Sequence, residues 1–383
     1  MKTLNIQNVI ILSLVAIIVA LVAVVAINPK QGALTQGSSS SDVDASLHAG
    51  TIEWKMVTSW PKGFPGLGTA PEYFAEQVNT MSGGRLHIKV FAAGELVPAL
   101  GVFDAVSKGS AEVGHSGAYY WKGKLKSSPF FTTIPFGMTA QEMNGWLYYG
   151  GGIELWREAY APVNLYPLAA GNTGVQMAGW FNKEINSIED IKGLKMRIPG
   201  LAGEIFTHAG GTAVNIAGGE LYTALKTGVI DATEWVGPYN DLAMGFYEVA
   251  KYYYYPGWHE PGSTLELVVN KDAYAKLPKD LQSIVVNAAI AANQLMLSEY
   301  TARNNQALSD LIEKHNVQLK VLPEEVLQRF YLESNKVIDA LIKEDPLAKR
   351  IYSSYEKFAR QSENYHKVSE QAYMQMRERL NSQ

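Results

Sequence analysis

Cysteine is absent from all 383 residues of the chain. That absence excludes disulfides, thiolate metal sites, cysteine nucleophiles and a lipoprotein anchor on an N-terminal cysteine. Short catalytic motifs are missing too. There is no GxGxxG, no Walker loop and no HExxH, and the GHSG at residues 114–117 is too short for a nucleophile elbow, which needs G-x-S-x-G after a strand. Positive charge is in slight deficit, the formal net charge being -4; a nucleic-acid partner would call for a basic stripe instead. What remains is ordinary globular composition, 47% hydrophobic, 18% charged and 11% aromatic, at a length that allows two domains or one large one.

The first fifty residues stand apart. An uncharged apolar run fills residues 9–27, nineteen in a row behind Lys2. It exceeds the h-region of a signal peptide (about 7–15 residues) and approaches the about 20 of a spanning helix. Residues 1–30 therefore read as a signal peptide or an N-terminal membrane anchor, and either one exports the remainder of the chain. Residues 31–50, rich in Ser and Gly, read as a flexible linker.

From residue 52 the rhythm is that of alternating strands and helices. IEWKMVTSW reads as a strand, 71–81 as a helix ended by Gly83-Gly84, RLHIKVF as a strand and 99–107 as a helix. AEVGHSGAYY reads as a short strand ending in an aromatic loop. The theme returns in NLYPLAAGN, VQMAGWFN, GLKMRIP and VIDATEWV, with helices between the last ones, and a further strand comes at STLELVVN. Beyond that the chain reads as nearly all helix, ending in an amphipathic stretch over 347–380. The fold class expected is α/β with a mostly parallel sheet, in two lobes, with helical C-terminal packing.

Candidate chemistry lies in the middle of the chain. Arg197 sits at the end of an apolar strand before Pro199; there it is either a bidentate fork for a carboxylate or phosphate or the partner of a structural acid. In a cleft its removal would cost little stability. Trp180, Trp235 and Trp258 could wall a pocket or fill the core. Glu234 and Glu260 both lie at strand-end turns beside a Trp, with few positive neighbours. A buried carboxylate has to be paired, protonated or bound to a metal. With the side-chain carbonyl of Gln176 the two would make an oxygen-rich shell for Na⁺ or Ca²⁺, bridging to a ligand carboxylate. His259, next to Glu260, has no second histidine nearby and does not suggest a transition-metal site. The competing reading makes Glu234 and Glu260 a glycosidase pair in an exported hydrolase.

The stretch GLKMRIPGLAGEIFTHAGGTAVNIAGGELYTALKTGVIDATEW, residues 193–235, resembles the solute-binding proteins of tripartite ATP-independent periplasmic (TRAP) transporters. The resemblance extends over residues 51–380 and includes the early segment 94–114 and PFGM at 135–138. Within the family the chain is most similar to the branch that binds 2-oxo or 2-hydroxy monocarboxylates, such as pyruvate or lactate, together with a metal ion.

The resemblance implies a two-lobed periplasmic-binding-protein-like fold with a hinge and extra C-terminal helices. Lobe I would take about 51–170 with part of 260–383, and lobe II about 171–260. It implies Arg197 on the ligand carboxylate, and Gln176, Glu234, Trp235 (through its carbonyl) and Glu260 on the cation. Tyr119, Tyr120 and Asn240 would hydrogen-bond the ligand and Trp180 would pack on it. It further implies a non-enzymatic periplasmic protein that delivers its ligand to a membrane permease, tethered to the inner membrane if the N-terminal segment stays in place. A ligand sensor docking on a receptor is the remaining alternative. The branch also implies a homodimer through the long C-terminal helix, a role that 347–380 suits nearly as well as packing within the chain.

Overall fold

The computed structural model describes residues 50–382; the apolar run at 9–27 and almost all of the Ser-rich linker lie outside them. Two sheets organise the chain. The first holds β1 (Ile52–Thr58), β2 (Leu86–Phe91), β3 (Val113–Ser116), β4 (Leu165–Asn172) and β10 (Thr264–Asn270) in the order β2-β1-β3-β10-β4. The second holds β5 (Gly179–Phe181), β6 (Lys195–Arg197), β7 (Thr212–Val214), β8 (Ala232–Thr233), β9 (Tyr252–Tyr255) and β11 (Gln318–Val321) in the order β11-β9-β5-β8-β6-β7. In each sheet one strand runs against the rest, β10 in the first and β5 in the second. The sheets are thus mostly parallel, as the alternating pattern predicts. β10 reads TLELVVN and is buried along its whole length, which is the near-continuous apolar run of a strand covered on both faces.

Helices cover these sheets. The shorter ones are α1 (Thr69–Met81), α2 (Val102–Ser107), α3 (Ala140–Tyr149), α4 (Gly152–Tyr160), α5 (Gly200–His208), α6 (Leu221–Lys226), α7 (Pro238–Met244) and α8 (Lys271–Lys276). The 35-residue α9 (Lys279–Glu313) joins the two halves. Leu281, Val285, Ala288 and Ala292 in its first part fill the core under the first sheet, with Trp54, Phe74 and Leu267. Met296, Tyr300 and Leu311 in its second part fill the core of the second, with Trp180, Leu225 and Tyr253.

α10 (Glu324–Glu344) and α11 (Pro346–His366) come next. Asp345 starts α11 by accepting from the Leu347 and Ala348 amides at 2.8 and 3.1 Å, with Pro346 at the first helical position. The single amphipathic stretch expected over 347–380 is divided: α11 stops at His366 and α12 (Glu370–Asn381) starts after Ser369, whose φ of -117° and ψ of -102° are not helical. α12 buries none of its residues.

The chain passes between the sheets after β4, after β9 and after α9. The first two crossings run side by side. Thr173 N donates to Ser263 O (3.1 Å), Gln176 N to Glu260 O (3.1 Å) and Ala178 N to Tyr254 O (2.8 Å). Gly257 makes the close approach possible, since a Cβ there would lie 2.1 Å from the Gln176 carbonyl oxygen. Gln176 and Glu260 are therefore neighbours because the two crossings are paired.

Candidate functional site

Arg197 ends β6, where it sits level with Thr233 of β8 and Val214 of β7. That register puts Glu234, one residue past β8, beside the guanidinium, and Glu234 N donates back to Arg197 O at 3.3 Å. Arg197 Nη1 donates to the Glu234 carboxylate and, at 3.4 Å, to its carbonyl. Nε donates to Ile216 O (3.2 Å) and Nη2 to the Tyr120 hydroxyl (3.1 Å). The guanidinium lies 5.2 Å above the Trp235 ring. Both Arg197 and Glu234 are only 1% exposed, so this is an ion pair held out of water.

The second half of the site comes from the crossings. Gln176 Nε2 donates to Glu260 Oε2 (2.8 Å) and to Thr173 Oγ1 (3.1 Å), and Ser263 Oγ donates to the same Glu260 oxygen. Burial, and next the negative charge of Glu234, push the Glu260 carboxyl up to about 7. Glu234 Oε2 lies 3.5 Å from His259 Nε2. Ligand atoms of Glu234, His259 and Glu260 all fall within 4.8 Å of one another, and all three residues are buried.

Two oxygens of this cluster, Glu234 Oε2 and Gln176 Oε1, are buried without a hydrogen-bond partner, as are both His259 ring nitrogens. Buried polar atoms are nearly always satisfied. Orphaned oxygens grouped with a second carboxylate are the donor set that a hard cation takes, so the residues present fit Na⁺ or Ca²⁺.

Aromatic rings close the site. Tyr119 and Tyr120 meet edge to face at 4.7 Å between centroids, and Trp60 meets Trp235 the same way at 6.3 Å. Burial, then Glu260, keeps the Tyr119 hydroxyl well above its usual range; burial also raises that of Tyr120, against the pull of Arg197. Both phenols stay neutral and able to donate.

Two residues expected here are committed elsewhere. Asn240 spends its amide on structure, Nδ2 donating to Pro65 O (2.9 Å) while Oδ1 accepts from the Tyr300 hydroxyl (2.6 Å). Trp180 stacks on Tyr253 at 4.1 Å and donates to Asp241 Oδ2 (3.0 Å), inside the core of the second sheet. Trp258 is core as well, stacked on Phe330 at 4.4 Å.

His259, by contrast, joins the site although its neighbours in the chain suggested no role for it. In an extended strand His259 and Glu260 would face opposite ways. A turn in which Glu260 N donates to Gly257 O (3.2 Å) brings both to one side. For a glycosidase pair the geometry is wrong. Glu234 is tied to Arg197 and Glu260 to Gln176 and Ser263, both under cover, so neither flanks a cleft open to a sugar ring.

Residues 56–345 match the family described as bacterial extracellular solute-binding protein, family 7 (DctP). A monocarboxylate 2-oxoacid-binding periplasmic protein of Nostoc sp. is 43% identical over 338 residues, 88% of this chain and 91% of that protein. Among solved structures, a TRAP periplasmic solute-binding protein of Pseudoalteromonas atlantica T6c, with bound sodium and pyruvate, is 44% identical with a TM-score of 0.83 over 85% of this chain and 99% of that one. One from Colwellia psychrerythraea, with bound calcium and pyruvate, shows the same identity, TM-score and coverage.

Proposed function

The chain belongs to the DctP family of bacterial extracellular solute-binding proteins, the TRAP-type receptors, and on that premise we propose that it captures a 2-oxo monocarboxylate such as pyruvate together with Na⁺ or Ca²⁺. The observation that carries the reading is the fully buried Arg197 beside a shell of carboxylate and amide oxygens, two of them unpartnered. Arg197 supplies the fork for the acid's carboxylate. Tyr120, already on Nη2, and Tyr119 supply hydroxyl donors on the same side. Glu234, Glu260, Gln176 Oε1 and the Trp235 carbonyl hold the cation, which offsets carboxylate charge and gives the acid's oxygens a second anchor. Asn240 and Trp180 have no part in this reading.

Each sheet with its helices forms one lobe, and the protein alternates between open and closed arrangements about the two crossings. It works in the periplasm, handing the acid to a TRAP permease, and residues 1–30 either release it or tether it to the inner membrane. The stripe of Tyr373, Met376 and Leu380, exposed along one side of α12 at helical spacing, is the surface through which two copies pair.

Calorimetric titration with pyruvate, in sodium chloride, in calcium chloride and in choline chloride, tests the reading. Much weaker binding in choline chloride than with either metal cation, and no product formed, is the expected result. Equal affinity in all three salts contradicts it.

A further inference from the structure

We propose that Glu234 makes capture of the acid conditional on the cation, by occupying Arg197 as an internal stand-in for the ligand carboxylate until the cation gives Glu234 another partner. This rests on the reading above, that the site takes a 2-oxo acid and a cation.

The donors of Arg197 lead to it. A guanidinium grips a carboxylate through two parallel N–H groups, either end-on through Nη1 and Nη2 or side-on through Nε and Nη2. Here Nε is engaged by the Ile216 carbonyl, so the side-on fork is closed by the backbone. Nη1 is engaged twice by Glu234, through its carboxylate and its carbonyl, so the end-on fork is closed as well. Nη2 gives one N–H to the Tyr120 hydroxyl and keeps the other; on Nη1 only the Glu234 side chain is free to leave, because the Glu234 and Ile216 carbonyls are backbone.

Glu234 faces both ways. One oxygen is on Arg197; the other, Oε2, is buried and without a hydrogen-bond partner in the cluster formed with His259 and Glu260. Inserting a ligand carboxylate while Glu234 remains would set two anions against one guanidinium in a dry site, with Glu260 nearby as a third acid. A cation taken up between Glu234 and Glu260 removes the conflict and draws the Glu234 carboxylate towards the orphaned side. Acid and cation then bind with positive coupling, of the order of 5–150-fold for typical coupled sites, and the factor is the same whichever is added first.

A simple bridging cation predicts that loss of either carboxylate weakens acid binding alike. Here the two should differ in opposite directions. In cation-free choline chloride, Glu234→Gln should bind pyruvate at least about tenfold more tightly than the wild type, with no further gain from sodium or calcium chloride. Glu260→Gln should stay as weak as the cation-free wild type in every salt, since Glu234 still holds Arg197.

If the wild type depends on the cation but Glu234→Gln binds no better than the cation-free wild type, the proposal is overturned and the underlying reading stands. If the wild type itself ignores the cation, both fall. Should Glu234→Gln fail to fold, stopped-flow tryptophan fluorescence on the wild type decides, Trp235 lying under the guanidinium. At fixed pyruvate the observed binding rate should climb with calcium chloride and level off; a rate that is unchanged or falls overturns the proposal.

Discussion

Arg197 and Glu234 are worth more to each other than either would be on a surface. Both are almost wholly buried and bonded, so removing one strands the other; breaking such a pair costs about 3–5 kcal/mol. Arg197→Ala should therefore abolish pyruvate binding in calorimetry and also lower the midpoint of urea unfolding. The sequence suggested a cleft arginine whose loss would leave stability nearly untouched, and the burial reverses that expectation. Glu266 poses a separate problem. It is fully buried on β10, accepting from Trp121 Nε1 and, at 2.8 Å, from the Tyr160 hydroxyl, with no cation among its described partners. Burial pushes its carboxyl up to about 7, against the pull of those two donors. The folded chain thus holds a proton that the unfolded chain releases near 4.5. Stability from this group is complete below that value and is lost as pH rises through about 7, by about 3 kcal/mol at most. Glu266→Gln, which keeps the neutral shape, should flatten the fall in unfolding free energy between pH 5 and pH 7; an unchanged slope would mean that Glu266 is ionised throughout.

The paired crossings are the element that builds the site. They carry Gln176 on one side and His259 and Glu260 on the other, and their contact depends on Gly257. Gly257→Ala should force them apart, lowering stability by more than about 2 kcal/mol and weakening calcium binding, measured by calorimetry, in whatever protein still folds. At this scale all five strands of the first sheet, and β5, β6 and β8 of the second, fall within stretches that the sequence marks as strands. β1, β2, β4 and β10 carry the alternating or continuous apolar patterns that their pairing requires. The sequence was silent on β9 and β11, because YYYY has no contrast between faces and QLKV comes closely enough after a helix to pass for its end. His259 stayed hidden for a related reason: a four-residue turn overrides the alternation from which its direction would be read. Asn240 misled in the opposite sense, since nothing in YND tells that Pro65 and Tyr300, far away in sequence, claim its amide.

At the scale of the whole molecule, the two sheets meet through the crossings, the long α9 and side chains such as Tyr120, which reaches Arg197 from the segment after β3. Ligand and cation bound between the halves should stabilise the folded state by mass action, by about 2.7 kcal/mol at a hundred times the dissociation constant. A thermal-shift series with pyruvate plus calcium chloride should then show a gain of a few degrees beyond the sum of what each component gives alone. Exposed Tyr373, Met376 and Leu380 predict a dimer on light scattering, reduced to monomer by Met376→Glu with Leu380→Glu; a monomeric wild type would return α12 to some other use. A buried arginine and an oxygen-lined cation site should capture one acid together, which pyruvate calorimetry on the wild type with and without calcium or sodium reads out. Binding should be tight with the cation and weaker by about tenfold or more in choline chloride. Affinity indifferent to the cation would contradict this.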